Sequence, residues 1–166
     1  MYLSASCKVL YHLEIGDMEI RNVSEKIIKG FSIRTDNETE MNPDKGRIPT
    51  LWKMFDENIE VNYQGGERVF GVYFNYESDH NGKFDVLAGF DGRAVPPEKK
   101  IEQIAIPRGK YIVFTHRGDM PQIAIDAWTE VWQYFSNSNP EHERLYTTDF
   151  EYYPSEHQIE VHIAVK

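Results

Sequence analysis

Apolar and polar positions alternate or recur with regular periods along most of this chain, and the periods predict the elements. IRNVSEKIIKGFSIR, from Ile20 to Arg34, reads as a β-strand interrupted at its glycine. TDNETEMNPDKG follows as a polar loop, punctuated by Asn, Asp, Pro and Gly. In RIPTLWKMFDENI the residues Ile48, Leu51, Trp52, Phe55 and Ile59 fall at helical spacing. Pro49 sits in the first turn, where its missing N–H breaks no helical bond. QGGER ends that helix, and VFGVYFNYES is a strand rich in aromatic and β-branched residues. DHNGK carries the Asn-Gly signal of a tight hairpin, and FDVLAGF returns as the partner strand.

The same order then repeats. IEQIAIPRGKYIVFTHRG predicts one or two strands bent at Pro107–Gly109. MPQIAIDAWTEVWQYF predicts a helix with Ile125, Trp128, Val131, Trp132 and Phe135 along one side. SNSNPEHERLYTTD is a loop, and FEYY and IEVHIAV are strands. Leu51-Trp52-Lys53-Met54-Phe55 matches Val131-Trp132-Gln133-Tyr134-Phe135 at an offset of 80 residues, and FDVLAGF parallels IEVHIAV, setting Asp85 against Glu160. Each half is thus strand, helix, strand, strand, with one apolar sheet face that it cannot bury alone. The expected fold is α+β: two βαββ halves, about 18–92 and 101–166, related by a pseudo-twofold and sharing one antiparallel sheet. Two main helices pack on that sheet, with a cleft between the halves.

Composition narrows the partners. The 166 residues suit one domain, placed at 18–166. A formal charge of −9, with no run of Lys or Arg longer than two, argues against a nucleic-acid backbone and for cationic ligands. Cys7 is the one cysteine, so no disulfide framework is expected and a reducing, cytoplasmic location fits. No apolar run approaches the ~20 residues of a membrane span. Residues 1–17 read as an N-terminal extension or extra strand, with Met18 as an alternative start. Six scattered histidines show no metal-binding spacing, and no nucleophile or phosphate-loop motif occurs, so neither metal nor cofactor is expected.

The ordered set RIPTLWKMF, FGVYFNYESD, IPRGKYIVFTHRGDMP, AWTEVWQYF, TTDFEYYP and IEVHIAVK resembles the gyrase-inhibitor-like (GyrI-like) effector-binding domains found behind AraC-type and MerR-type transcription regulators. Within them it is most similar to the stand-alone integron-associated effector-binding proteins. The resemblance covers about 19–166 and lacks the regulators' DNA-binding segment. It implies a cleft between the repeats in which an acid, walled by aromatic rings, pairs with lipophilic aromatic cations.

By position in the final strand the resemblance makes Glu160 that acid, with Glu151 in DFEYY as competitor. Asp85, beside a turn, is expected in solvent. Trp52 and Trp132, the repeat-related pair, are candidates for the cleft edge, and Tyr73, Tyr76, Tyr111, Phe114 and Met54 for its walls. A core role is the plainer reading for the tryptophans, and some of the strand aromatics must be core. The expected partner is a small cationic aromatic molecule, with a separate regulator or a second copy of the chain as further partners. A hydrolase acting on reactive cyclopropane-bearing compounds and a gyrase-inhibitor-like interaction role stand as alternatives.

Overall fold

A computed structural model describes residues 16–166 except 94, 96, 97 and 138. The extension assigned to 1–17 therefore lies almost wholly outside the described residues. Within the described residues eight strands and three helices follow in order: β1 Asp17–Val23, β2 Lys26–Thr35, α1 Asn37–Met41, α2 Ile48–Asn58, β3 Val69–Phe74, β4 Phe84–Phe90, β5 Glu102–Ile106, β6 Gly109–Arg117, α3 Gln122–Ser136, β7 Asp149–Ser155 and β8 Gln158–Ala164. All of these strands join one antiparallel sheet in the order β1-β6-β8-β7-β3-β4-β2-β5.

That order is symmetric about the β7–β3 seam. Each half contributes three strands (β3-β4-β2 and β7-β8-β6) and ends with a strand lent by the other: β5 joins the first half, β1 the second. The expected α+β arrangement of two βαββ halves in one sheet is present, with this exchange of arms added.

The exchange forces curvature. β1 stands at one edge and β2 next to the other, roughly 29 Å apart if the sheet were flat. Only Ser24 and Glu25 connect them, and such a link spans about 11 Å at most. Pro107 and Arg108 connect β5 to β6 under the same constraint, and Val23↔Gly109 and Lys26↔Ile106 lie in one continuous register. The sheet therefore curls until its two edges approach at the Ser24–Glu25 and Pro107–Arg108 links.

Curling gives it two apolar faces. On the outer face, α2 packs on β2 and β4, and α3 on β6 and β8, burying Leu51, Phe55, Val86, Phe90, Ile112, Val131, Ile159 and Val161. On the inner face the strands close over Ile28, Phe70, Val72, Leu87, Ile106, Tyr111 and Phe150.

The stretch read as a polar loop holds a short helix, α1, whose buried Glu40 explains it. The Glu40 carboxylate accepts from the Thr35 hydroxyl at 2.6 Å and from the backbone N–H groups of Arg47 and Ile48 at 3.0–3.2 Å. Arg47 provides no side-chain cap for α2, so Glu40 satisfies those donors and complements the helix dipole. It thereby fixes the end of α2 that carries Ile48, Pro49 and Trp52.

Candidate functional site

The seam between the halves is open on the helix side. Strand β7 alternates strictly: Phe150 and Tyr152 face inward, while Asp149, Glu151 and Tyr153 face the helices. Opposite Glu151 on β3 lies Gly71, where an added Cβ would stand 2.6 Å from Glu151 Oε2 and 3.0 Å from Trp52 Cζ2. The missing side chain makes the floor of a hollow. A cavity of about 290 Å³ rises from it, lined by Ile48, Pro49 and Trp52 of α2, Ala124, Ile125 and Trp128 of α3, Met120, Pro121, Tyr73, Tyr153 and Glu151.

Glu151 is 4% exposed. The Tyr73 hydroxyl and Trp128 Nε1 each donate to its Oε1 at 2.7 Å, and the Tyr153 hydroxyl donates to Oε2 at 2.6 Å. Three neutral donors hold it, and none of the ion pairs among the described residues includes it. Burial, followed by the Glu151 charge, pushes the Tyr73 and Tyr153 phenols well above their usual range, so both stay protonated as donors. Trp52 stands edge-on to Tyr153 and Tyr73 to Trp128, at centroid distances of 5.9 and 4.9 Å. A negative charge is thus fixed at the base of an aromatic cup.

A second buried acid lies two residues away on the same face. Asp149 accepts from the Tyr76 hydroxyl at 2.7 Å, from Ala164 N at 2.9 Å and from Arg144 Nη2 at 2.8 Å. The Arg144 guanidinium lies 4.4 Å from the Tyr146 ring centre, 5.8 Å from that of Tyr76 and 6.0 Å from that of Phe135. Tyr146 reaches that position with left-handed backbone, φ 52°.

Of the residues expected at the site, the structure brings Glu151, Trp52 and Tyr73 together. Glu160 lies across the sheet, on the inner face, where its Oε2 accepts from Arg21 Nη1 at 2.7 Å. It borders a separate cavity of about 290 Å³ with Arg21, Lys26, Tyr152 and His162. Tyr111 is also on the inner face, donating to the Pro107 carbonyl. Phe114 is outer-face core against Tyr134, Met54 packs partly buried on α2, and Tyr76 belongs to the Asp149 group. Asp85 is ion-paired to Arg34 at 2.9 Å and bonded by Asn75 at 2.7 Å rather than freely solvated.

Trp132 meets His80 at 5.6 Å, one helical turn beyond the cavity. The helices correspond across the cavity at an offset of 76, not 80: it is lined by Ile48 and Ala124, Pro49 and Ile125, Trp52 and Trp128. Trp128 is therefore the cleft counterpart of Trp52, and Tyr153 and Met120 complete the walls. The strict alternation through Glu151 and Tyr153 on β7 was the available signal for the first of these.

Among the described residues no group of three or more His, Cys, Asp or Glu converges as a metal site, and no helix is long and apolar enough to cross a membrane. None of the curated proteins compared matches the chain. An integron cassette protein from the mobile metagenome of Vibrio cholerae, VCH_CASS2, is 41% identical, with a TM-score of 0.82 over 91% of this chain and 96% of that one. A putative transcription regulation protein from Staphylococcus aureus MU50 shares the fold at 18% identity and TM-score 0.68, covering 91% and 99%. So does SAV2435 bound to tetraphenylphosphonium, at 16% and 0.64, covering 90% and 94%. The model of the integron-associated effector binding protein family matches residues 19–165, and the chain belongs to that family.

Proposed function

We propose that the protein binds lipophilic aromatic cations in the outer-face cleft and that Glu151, not Glu160, is the acid that selects them. The observation that carries this reading is the buried carboxylate of Glu151, held only by neutral donors inside a cup of rings. A carboxylate removed from water attracts a desolvated cation strongly, because the local dielectric is low. Aromatic faces add about 0.5–2 kcal/mol per cation–π contact.

The molecule contains its own precedent one step along β7. Asp149, an acid on the same strand face, holds a guanidinium between rings. Glu160, by contrast, already has the cation Arg21 as its partner, so an incoming ligand would have to displace it. The bound tetraphenylphosphonium of SAV2435 is the chemical class the cup fits: apolar, aromatic, singly positive. Binding without turnover suits a sensing or sequestering role, and no Ser, Thr, Cys, Lys or His is among the described residues that line the cavity.

The test is a pair of ions matched in shape and opposite in charge. Tetraphenylphosphonium should quench the fluorescence of Trp52 and Trp128 saturably, and tetraphenylborate should bind at least ten times more weakly. Equal affinity for the two ions would show that the cup reads shape and greasiness alone.

A further inference from the structure

The cavity at Glu151 is not the end of the cleft. A second one, of about 310 Å³, shares Trp52, Met120 and Tyr153 with it and is completed by Asp56, Tyr63, Val69, Ser155 and Glu156. The two lie side by side along the elements that line them. Asp56 follows Trp52 by one turn of α2, an advance of about 6 Å. Ser155 follows Tyr153 by two residues of β7, an advance of about 6.7 Å. Both steps run the same way, so the chambers are displaced by roughly that distance, with the Trp52–Tyr153 pair as their common wall.

The second chamber repeats the chemistry of the first in more exposed form. It has rings from Trp52, Tyr63 and Tyr153 and carboxylates from Asp56 and Glu156. Both charges reach the same phenol, since Asp56 and Glu156 together help to raise Tyr63, after burial as the main cause. Neither acid takes part in a hydrogen bond or ion pair among the described residues. Arg68, whose charge also reaches Tyr63, donates instead to the Tyr63 and Glu67 carbonyls.

We infer that the cleft is built for elongated dications, with one positive charge at Glu151 and the second in the adjoining chamber against Asp56 and Glu156. The inference rests on Glu151 as the cation-selecting acid and names the ligand class more narrowly. Because Asp56 and Glu156 are exposed, their contribution is that of surface pairs: modest, and screened by salt.

The experiment compares bis-pyridinium compounds, with alkane linkers from propylene to decylene, against N-alkylpyridinium monocations of the same chain lengths. Tryptophan quenching by the wild-type protein reads the affinity. At low salt the best bis-pyridinium should bind roughly three- to tenfold more tightly than its monocation, with an optimum at an intermediate linker. The advantage should shrink in high salt while monocation binding changes less, since Glu151 is buried. Asp56→Asn combined with Glu156→Gln should bring the dication down to the monocation's affinity and leave the monocation and the melting temperature unmoved. Equal wild-type affinity for the two series overturns the inference alone, as does a double variant that weakens both series alike. If neither series binds, the inference falls together with the Glu151 reading.

Discussion

A methyl group added at Gly71 would enter the floor of the cleft beneath its acid. Its carbon would stand 2.6 Å from Glu151 Oε2, where ordinary contact begins at 3.4 Å, so the oxygen must retreat by about 0.8 Å. Oε2 is the atom that accepts from Tyr153, and that bond is lost first. A hydrogen bond to a charged group contributes ~1.5–3 kcal/mol, which bounds the stability cost of Gly71→Ala. For a chain of this length that corresponds to a fall in Tm of roughly 3–12 °C. Trp52, 3.0 Å from the new carbon, must also give way, so the charge moves and the cup narrows together. Affinity for tetraphenylphosphonium should fall about tenfold by fluorescence titration. Gly30→Ala is the control. There the carbon would meet the Ala88 carbonyl oxygen at 2.0 Å, and rigid backbone cannot yield as a side chain does. Gly30→Ala should lose more stability with no selective loss of cation binding in the protein that still folds. If Gly71→Ala loses stability but keeps full affinity, Glu151 is a structural acid and the reasoning about the cleft fails.

The buried pair gives a second test: Asp149→Asn leaves the Arg144 guanidinium, 7% exposed, without its counter-charge, and should cost about 3–5 kcal/mol in denaturant unfolding; an unchanged midpoint would contradict the buried-pair account. His162 is held neutral, its pKa lowered from 6.5 to about 3 chiefly by burial against Phe150. The unfolded chain therefore binds the extra proton, and stability present above pH 6.5 is lost as pH falls toward 3. Between pH 6.5 and about pH 5 the loss should be about 1.5 kcal/mol. His162→Phe should flatten that part of the profile, and an identical slope in both proteins would remove His162 as its source.

How far the sequence revealed this molecule depends on what each signal reports. FDVLAGF coincides with β4 and IPTLWKMFDEN with α2, because alternation and helical spacing report local geometry directly. The bend near Pro107–Gly109 was legible for the same reason. The exchange of β1 and β5 between the halves was not, since strand partners depend on distant register. Helix α1 was hidden because its one buried residue, Glu40, is an acid whose partners lie in β2 and at the start of α2.

The choice between Glu160 and Glu151 was not legible in the sequence for a more specific cause. In a sheet that curls, both faces bury apolar residues, so His162 and Ala164 beside Glu160 mark the inner core as readily as a ligand cleft. Matching Trp52 to Trp132 rested on similar letters around each tryptophan. The cavity, which both helices line, pairs Trp52 with Trp128 one turn earlier.

The central claim concerns which acid meets the cation, and one comparison addresses it. Tetraphenylphosphonium affinity is measured by calorimetry for the wild-type protein, Glu151→Gln and Glu160→Gln, with Tm recorded for each. In Glu151→Gln the new amide oxygen can still accept from Tyr73 and Trp128, and the Tyr153 hydroxyl can turn to accept from the amide N–H, so the cup survives without its charge. Glu151→Gln should weaken binding by roughly ten- to a hundredfold, the equivalent of ~1.5–3 kcal/mol. Glu160→Gln, which releases a partly exposed pair with Arg21, should change affinity by less than about twofold. A large loss in Glu160→Gln with wild-type affinity in Glu151→Gln would place the cation on the inner face and contradict the account.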